Sequence, residues 1–281
     1  PLKTSSFGTG ELIRAAIARG ARRIVVGIGG SATNDCGAGM AQALGAVFRD
    51  ARGRVLARPL GGGDLGAVAS IDLSGLMQTL AEVEVVVACD VRNPLCGPKG
   101  ASAVFGPQKG ATPAQVALLD GNLAHFGALL ERATGRRVMK RPGAGAAGGL
   151  GAGLMGFCGA RLVSGAALVC EVVGLAGHLE GADVVITGEG RIDFQTAFGK
   201  TPAGVAQVAA AHGVPVIGLG GGLADDAHRI LRHGFAALEA SVARPMSLAD
   251  AMHDVRVNVE RAGERMGRWL LLAATLRRSK R

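Results

Sequence analysis

Apolar positions along this chain recur with two periods, and the switching between them lays out the elements. Leu12, Ile13, Ala16 and Ile17 share one face of a helix expected over 10–19, which Gly20 ends. A β-branched run at 24–28 reads as a strand, and the small, apolar residues at 37–44 read as a helix. Residues 83–89 are apolar except for Glu84, which predicts a buried strand delivering Asp90 at its C-terminal end. Thr112 before Pro113 is a helix start, because the hydroxyl caps and proline gives up no needed N–H, and this helix is expected to reach Gly135. Later strands are expected at 182–187, 214–219 and 235–241. Helices are expected at 202–212, 225–233 and 247–276, the last a single element capped by Ser247. A turn between short strands is expected at 50–55. Strands and helices in this alternation predict an α/β fold with a parallel sheet covered on both faces.

Composition changes that picture in one respect. Glycine supplies 46 of 281 residues, about double its usual 7% share. The glycines sit at the ends of apolar runs, where tight turns and close backbone approach to a ligand are needed. A formal charge of +9 suits an anionic substrate. With no tyrosine, one tryptophan and 3% aromatic residues, the stacking platforms of a nucleic-acid binder are missing, so no nucleic-acid partner is expected. The five cysteines are scattered, with no C-x-x-C spacing, which points to reduced thiols and a cytoplasmic location. Two charge-free runs, 143–160 and 201–224, have membrane-span length. The first is crowded with glycine, and the second is broken by His212, Pro215 and three glycines, so neither is expected to cross a membrane. The six histidines fall on expected helices, their ends or a connection, and none forms a recognisable catalytic pair.

The candidate chemistry lies in the glycine-bearing loops. The strand at 24–28 empties into Gly29-Gly30-Ser31-Ala32-Thr33-Asn34-Asp35 before a helix. That junction can hold an anion on free backbone N–H groups, or it can be a tight turn capped by Ser31 or Asp35. Similar loops occur at 90–100, 106–110, 143–153 and 188–193. Each combines glycines with a carboxylate, amide or lysine, or is a bare glycine nest. Phosphoryl transfer needs this inventory: N–H groups and lysines for the phosphates, carboxylates for Mg²⁺, and one carboxylate for the hydroxyl proton. Two nucleotide motifs fail. Gly199-Lys200-Thr201 ends like a P-loop, but Phe194 stands where the first glycine belongs. Gly143-x-Gly145-x-x-Gly148 fits the dinucleotide pattern, yet residues 136–142 cannot be the strand that must precede it.

Six stretches carry a family resemblance in the right order across nearly the whole chain. They are the Gly29–Asp35 loop with Gly37-Ala38-Gly39-Met40, Asp90-x-x-Asn93-Pro94-Leu95, Phe105-Gly106-Pro107-Gln108-Lys109-Gly110, Gly145-Ala146-Ala147-Gly148-Gly149-Leu150-Gly151, Thr187-Gly188-Glu189-Gly190-Arg191-x-Asp193, and Gly199-Lys200-x-Pro202. Together they resemble the bacterial glycerate kinases, as does the turn at Pro245-Met246-Ser247-Leu248. Two departures stand out: Cys36 replaces the family's usual glycine, and a front segment with an Asp-Ser-Phe-Lys-Gly motif is not found in this sequence.

The resemblance implies a two-domain fold. A larger α/β domain is expected over 1–180 and the C-terminal part of a Rossmann-like parallel-sheet domain over 181–281, the latter incomplete and with an exposed apolar edge. It implies ATP- and Mg²⁺-dependent phosphorylation of D-glycerate at the 2-hydroxyl, giving 2-phosphoglycerate. Asp193 is the favoured base, with Glu189, Asp90 and Asp35 open as base or Mg²⁺ ligand, and Asp90 and Glu189 preferred for the metal. Lys109 and Lys200 are expected to neutralise phosphate, and Arg191 to clamp the substrate carboxylate. Gly29, Gly30, Ser31, Thr33, Asn34, Asp35, Asn93, Gly148 and Gly149 are expected to position phosphate or substrate. The rival expectation is a non-catalytic remnant that binds an anion or partner, and self-association stays open under either.

Overall fold

The computed structural model describes residues 1–197 and 201–278. Lys200, one of the expected phosphate ligands, lies outside the described residues. Contacts divide the chain into compact units of Pro1–Val163 and Ser164–Arg281, each with its own apolar core. The seam falls ahead of the expected boundary at 180, and the intervening helices belong to the second unit. There Gly204 lets a helix lie against Ala166, since a Cβ at Gly204 would sit 2.6 Å from the Ala166 Cβ.

In the first unit, β1 (Arg23–Gly27), β4 (Glu84–Ala88) and β5 (Arg161–Val163) form a parallel sheet in the order β1-β4-β5. β2 (Val47–Arg49) and β3 (Ser70–Asp72) form a separate antiparallel pair. The helices are α1 (Phe7–Ala18), α2 (Ala38–Ala43), α3 (Ala101–Phe105), α4 (Pro113–Thr134) and α5 (Leu150–Phe157). The start of α4 follows its sequence signal closely. Thr112 accepts from the Gln115 N–H, the Gln115 side chain accepts from the Thr112 N–H, and Gly135 closes the helix in the left-handed region. Phe48, Phe126 and Phe157 bring β2, α4 and α5 together at the core, with ring centroids 5.5 to 6.4 Å apart.

In the second unit, β6 (Val185–Ile192), β7 (Val216–Leu223) and β8 (Ala237–Ala240) form a parallel sheet in that order. Its helices are α6 (Gly165–Val172), α7 (Leu175–His178), α8 (Thr201–Ala211), α9 (Leu248–His253) and α10 (Val255–Arg278). Three expectations need correction here. Residues 188–193 were expected as a loop and 220–222 as glycines beyond a strand. Instead β6 and β7 run on, pairing Glu189 with Gly220 and Arg191 with Gly222. The strands approach too closely for side chains, since a Cβ at Gly188 would lie 2.4 Å from the Leu219 carbonyl oxygen and one at Gly221 2.4 Å from that of Gly190. The segment at 227–233 is a 3₁₀ turn and not an α-helix. The long C-terminal helix is two, because Asp254 leaves helical geometry as the C-cap of α9. Neither glycine nor proline marks that break.

Candidate active site

The loop after β1 is held from three sides. Asp35 is completely buried. Its Oδ2 accepts from the Ser6 N–H and hydroxyl at 2.7 Å each and from the Gly39 N–H at 3.2 Å, and its Oδ1 accepts from the Gly37 N–H at 3.2 Å. Burial pushes its pKa up, while the hydrogen bonds from Ser6, Gly39 and Gly37 act the other way. This carboxylate therefore fills the N-terminus of α2, which the strand–helix junction suggested as an anion seat. The loop offers Gly29, Gly30 and Ser31 in its place. Asn34, also fully buried, donates from Nδ2 to the Ser102 hydroxyl at 3.0 Å and so pins the loop to α3. Its Oδ1 is a buried side-chain oxygen without a partner.

The second constraint is the nest at 147–149. Ala147, Gly148 and Gly149 are consecutive left-handed residues, with φ of 52°, 66° and 88°. A Cβ on Gly148 would stand 1.9 Å from the Thr33 carbonyl oxygen, and the Gly148 carbonyl accepts from the Cys36 N–H at 3.1 Å. Two backbones are thus pressed together where only glycine fits. Cys36 has a φ of 53°, a conformation for which glycine is the usual residue. Burial pushes its thiol above the ordinary range, so it is an inert filler. The third constraint is Lys109, at the end of a 3₁₀ turn, whose Nζ donates to the Thr33 carbonyl at 2.8 Å. Its half-buried ammonium has a pKa lowered by desolvation, with Asp35 opposing the shift.

These pieces line a cavity of about 310 Å³ that includes Gly29, Gly30, Ser31, Asp90, Gln108, Lys109 and Ala147. A glycine loop, a carboxylate and an ammonium converge there, at the C-terminal ends of β1 and β4. Thr33 and Ser31 line a smaller hydroxyl-rich cavity of about 200 Å³ with Ser5 and Thr9. Asn93 does a different job: its Nδ2 donates to the Lys99 carbonyl, and its own carbonyl accepts from the Gly145 N–H, which ties the 93–100 loop to the nest.

The second unit holds the remaining candidates. Asp193 caps the 3₁₀ turn Phe194–Ala197: its Oδ1 accepts from the Thr196 N–H at 3.1 Å, and its own N–H donates to the Thr196 hydroxyl. The Thr196 hydroxyl donates to Glu189, so one buried threonine links both carboxylates. Sequence reading passed over Thr196, although the Asp-x-x-Thr spacing of a capped turn carries the signal. Arg191 is an exposed residue within β6. Among the described residues, no three His, Cys, Asp or Glu side chains cluster as a metal cage, and no helix is long and apolar enough to cross a membrane.

The sequence profile described as the glycerate kinase family matches residues 1–271. A glycerate kinase of Bacillus subtilis (strain 168) is 49% identical over 276 residues, which are 98% of this chain and 72% of that protein. The glycerate 2-kinase of Escherichia coli (strain K12) is 48% identical over 276 residues, 98% of this chain and 70% of that protein. A crystal structure of a Salmonella typhimurium LT2 protein matches with a TM-score of 0.79 at 48% identity, covering 98% of this chain and 71% of that one.

Proposed function

This chain belongs to the glycerate kinase family, and from that premise we propose that it transfers the γ-phosphoryl group of ATP to the 2-hydroxyl of D-glycerate, giving 2-phosphoglycerate and ADP. The observation that carries the reading is the cavity shared by the Gly29–Ser31 loop, Asp90 and Lys109. Backbone N–H groups and the Lys109 ammonium suit the equatorial oxygens of a phosphoryl group in flight, where little covalent chemistry is asked of the protein. Mg²⁺ keeps most of its waters and takes one or two carboxylates beside substrate phosphates, so the cavity carboxylate of Asp90 fits it where a three-ligand cage is not needed. Asp90 would hold it, with Glu189 as the further candidate. When bound, the metal would supply charge neutralisation for the phosphate oxygens.

For the acceptor, the proposal assigns Asp193 as the base that takes the 2-hydroxyl proton while that oxygen attacks phosphorus and ADP leaves. Thr196 keeps its carboxylate oriented through the capped turn. Arg191 is proposed for the substrate carboxylate, since a guanidinium fork matches two carboxylate oxygens. A cytoplasmic location goes with this reading, supported by five free cysteines.

The test is a ³¹P NMR assay of the purified chain with ATP, Mg²⁺ and D-glycerate. The expected outcome is a 2-phosphoglycerate resonance growing as ADP appears. A 3-phosphoglycerate product would overturn the assigned hydroxyl, and binding of both substrates without transfer would leave a non-catalytic binder.

A further inference from the structure

The second unit carries a basic groove that none of the roles above uses. It has a volume of about 380 Å³ and is lined by Phe194, His228, Arg229, Arg232 and His233. We propose that this groove binds a polyphosphate anion, with Arg229 and Arg232 as its two forked donors.

The local geometry explains why both arginines face one ligand. They sit at i and i+3 of the 3₁₀ turn Ala227–His233, and in a 3₁₀ helix side chains three apart eclipse one another. Two guanidinium charges on one edge repel unless an anion lies between or beside them. Three other arginines of the unit have carboxylate partners: Arg256 pairs with Glu260, Arg265 with Glu239 and Arg268 with Glu264. Among the described residues, no carboxylate pairs with Arg229 or Arg232, and none lines the groove. The nearby Asp226 is directed elsewhere, its Oδ1 accepting from the Phe194 N–H at 3.3 Å.

Attraction to the helix dipole would account for Arg232 and His233 at the end of the turn. It does not account for Arg229. That guanidinium lies 3.6 Å over the centre of the Phe194 ring. Stacking fixes its plane and leaves its N–H edge for a ligand. A single carboxylate would occupy one fork. Two forks with two imidazoles beside them suit an anion carrying several charges along its length, which is the chemistry of linked phosphates. Phe194 directly follows Asp193, so the groove adjoins the capped turn that joins Asp193, Thr196 and Glu189.

The carrier of the phosphate chain rests on the kinase reading above; the groove's affinity for linked phosphates does not. Isothermal titration of the full chain with inorganic tripolyphosphate tests the groove directly. Arg229→Gln and Arg232→Gln are each expected to weaken binding by about 10- to 100-fold, whereas Arg256→Gln, a surface arginine of α10, leaves it unchanged. Circular dichroism confirms that the variants fold. Should Arg229→Gln fail to fold, Arg232→Gln and the charge-keeping Arg229→Lys decide the matter. No tripolyphosphate binding, or binding by both Gln variants as tight as that of wild type, overturns the proposal. A non-hydrolysable ATP analogue distinguishes the sources. Parallel loss assigns the groove to the donor's phosphate chain, and an unchanged analogue affinity with lost tripolyphosphate binding assigns it to a separate phosphorylated ligand. Failure of the kinase reading would show as absent transfer to D-glycerate, with the tripolyphosphate titration unaffected.

Discussion

Lys109 shows how one side chain serves both a fold and a reaction. Its Nζ supports the Thr33 carbonyl, and its ammonium faces the cavity with Asp90. Burial lowers its pKa from 10.5, so it loses its proton at a lower pH than an ordinary lysine does. Between the folded value and 10.5 the unfolded chain holds the extra proton, and folding is favoured as pH rises through that window. Below the folded value, the charged and half-desolvated ammonium weighs constantly against folding. Anion binding has the opposite sign, because the positive charge is lost over the same rise. Lys109→Met is therefore expected to lower kcat/KM by about 10²- to 10³-fold and to remove an alkaline limb that wild type shows below pH 10.5. A pH–rate profile of both proteins checks this, and an unchanged alkaline limb in the variant would take Lys109 out of the phosphate role. Asp35 is a contrasting case. The sequence offered it as base or metal ligand, but its oxygens are spent on Ser6, Gly37 and Gly39, so its work is to hold the loop.

Between elements, backbone contact takes the place of side-chain packing. α5 enters the first unit through the nest, and Gly148 lies against Thr33 so closely that its neighbour there is a carbonyl oxygen. Gly148→Ala puts a methyl group on that oxygen in a left-handed conformation, and it is expected to cost about 2–4 kcal/mol. Gly121, exposed in the middle of α4, meets nothing within 4 Å. There the same change is expected to stabilise by about 0.5–1 kcal/mol, because alanine is the better helix former. Urea denaturation of both variants gives the comparison, and equal effects would show that the nest does not press on the loop. The same logic governs β6 and β7, where glycines that read as loops are strand residues. Composition does not distinguish a glycine that frees the chain from one that lets two chains touch.

At the scale of the molecule, the chain folds as two units with separate apolar cores. The first is centred on the rings of Phe48, Phe126 and Phe157. Phe126→Ala empties the middle of that trio and should lower the stability of the first unit by about 3–5 kcal/mol. Hydrogen exchange of the α4 amides reads this out, and a loss under about 1 kcal/mol would show the core closing without the ring. The sequence by itself determined the α/β class, most element positions, the cap of α4 and the loops bearing the family's motifs. Those are local facts, written in periodicity, capping residues and glycine spacing. Only the tertiary structure decided which motif residues share a cavity, because β1–β4 pairing brings Gly29 beside Asp90 and a long-range hydrogen bond to Thr33 brings in Lys109. It also decided that Asp35 is spent internally and that the seam between units precedes α6. Each depends on partners distant in sequence or on backbone separations of a few ångströms, and neither leaves a period or a composition to be read in advance.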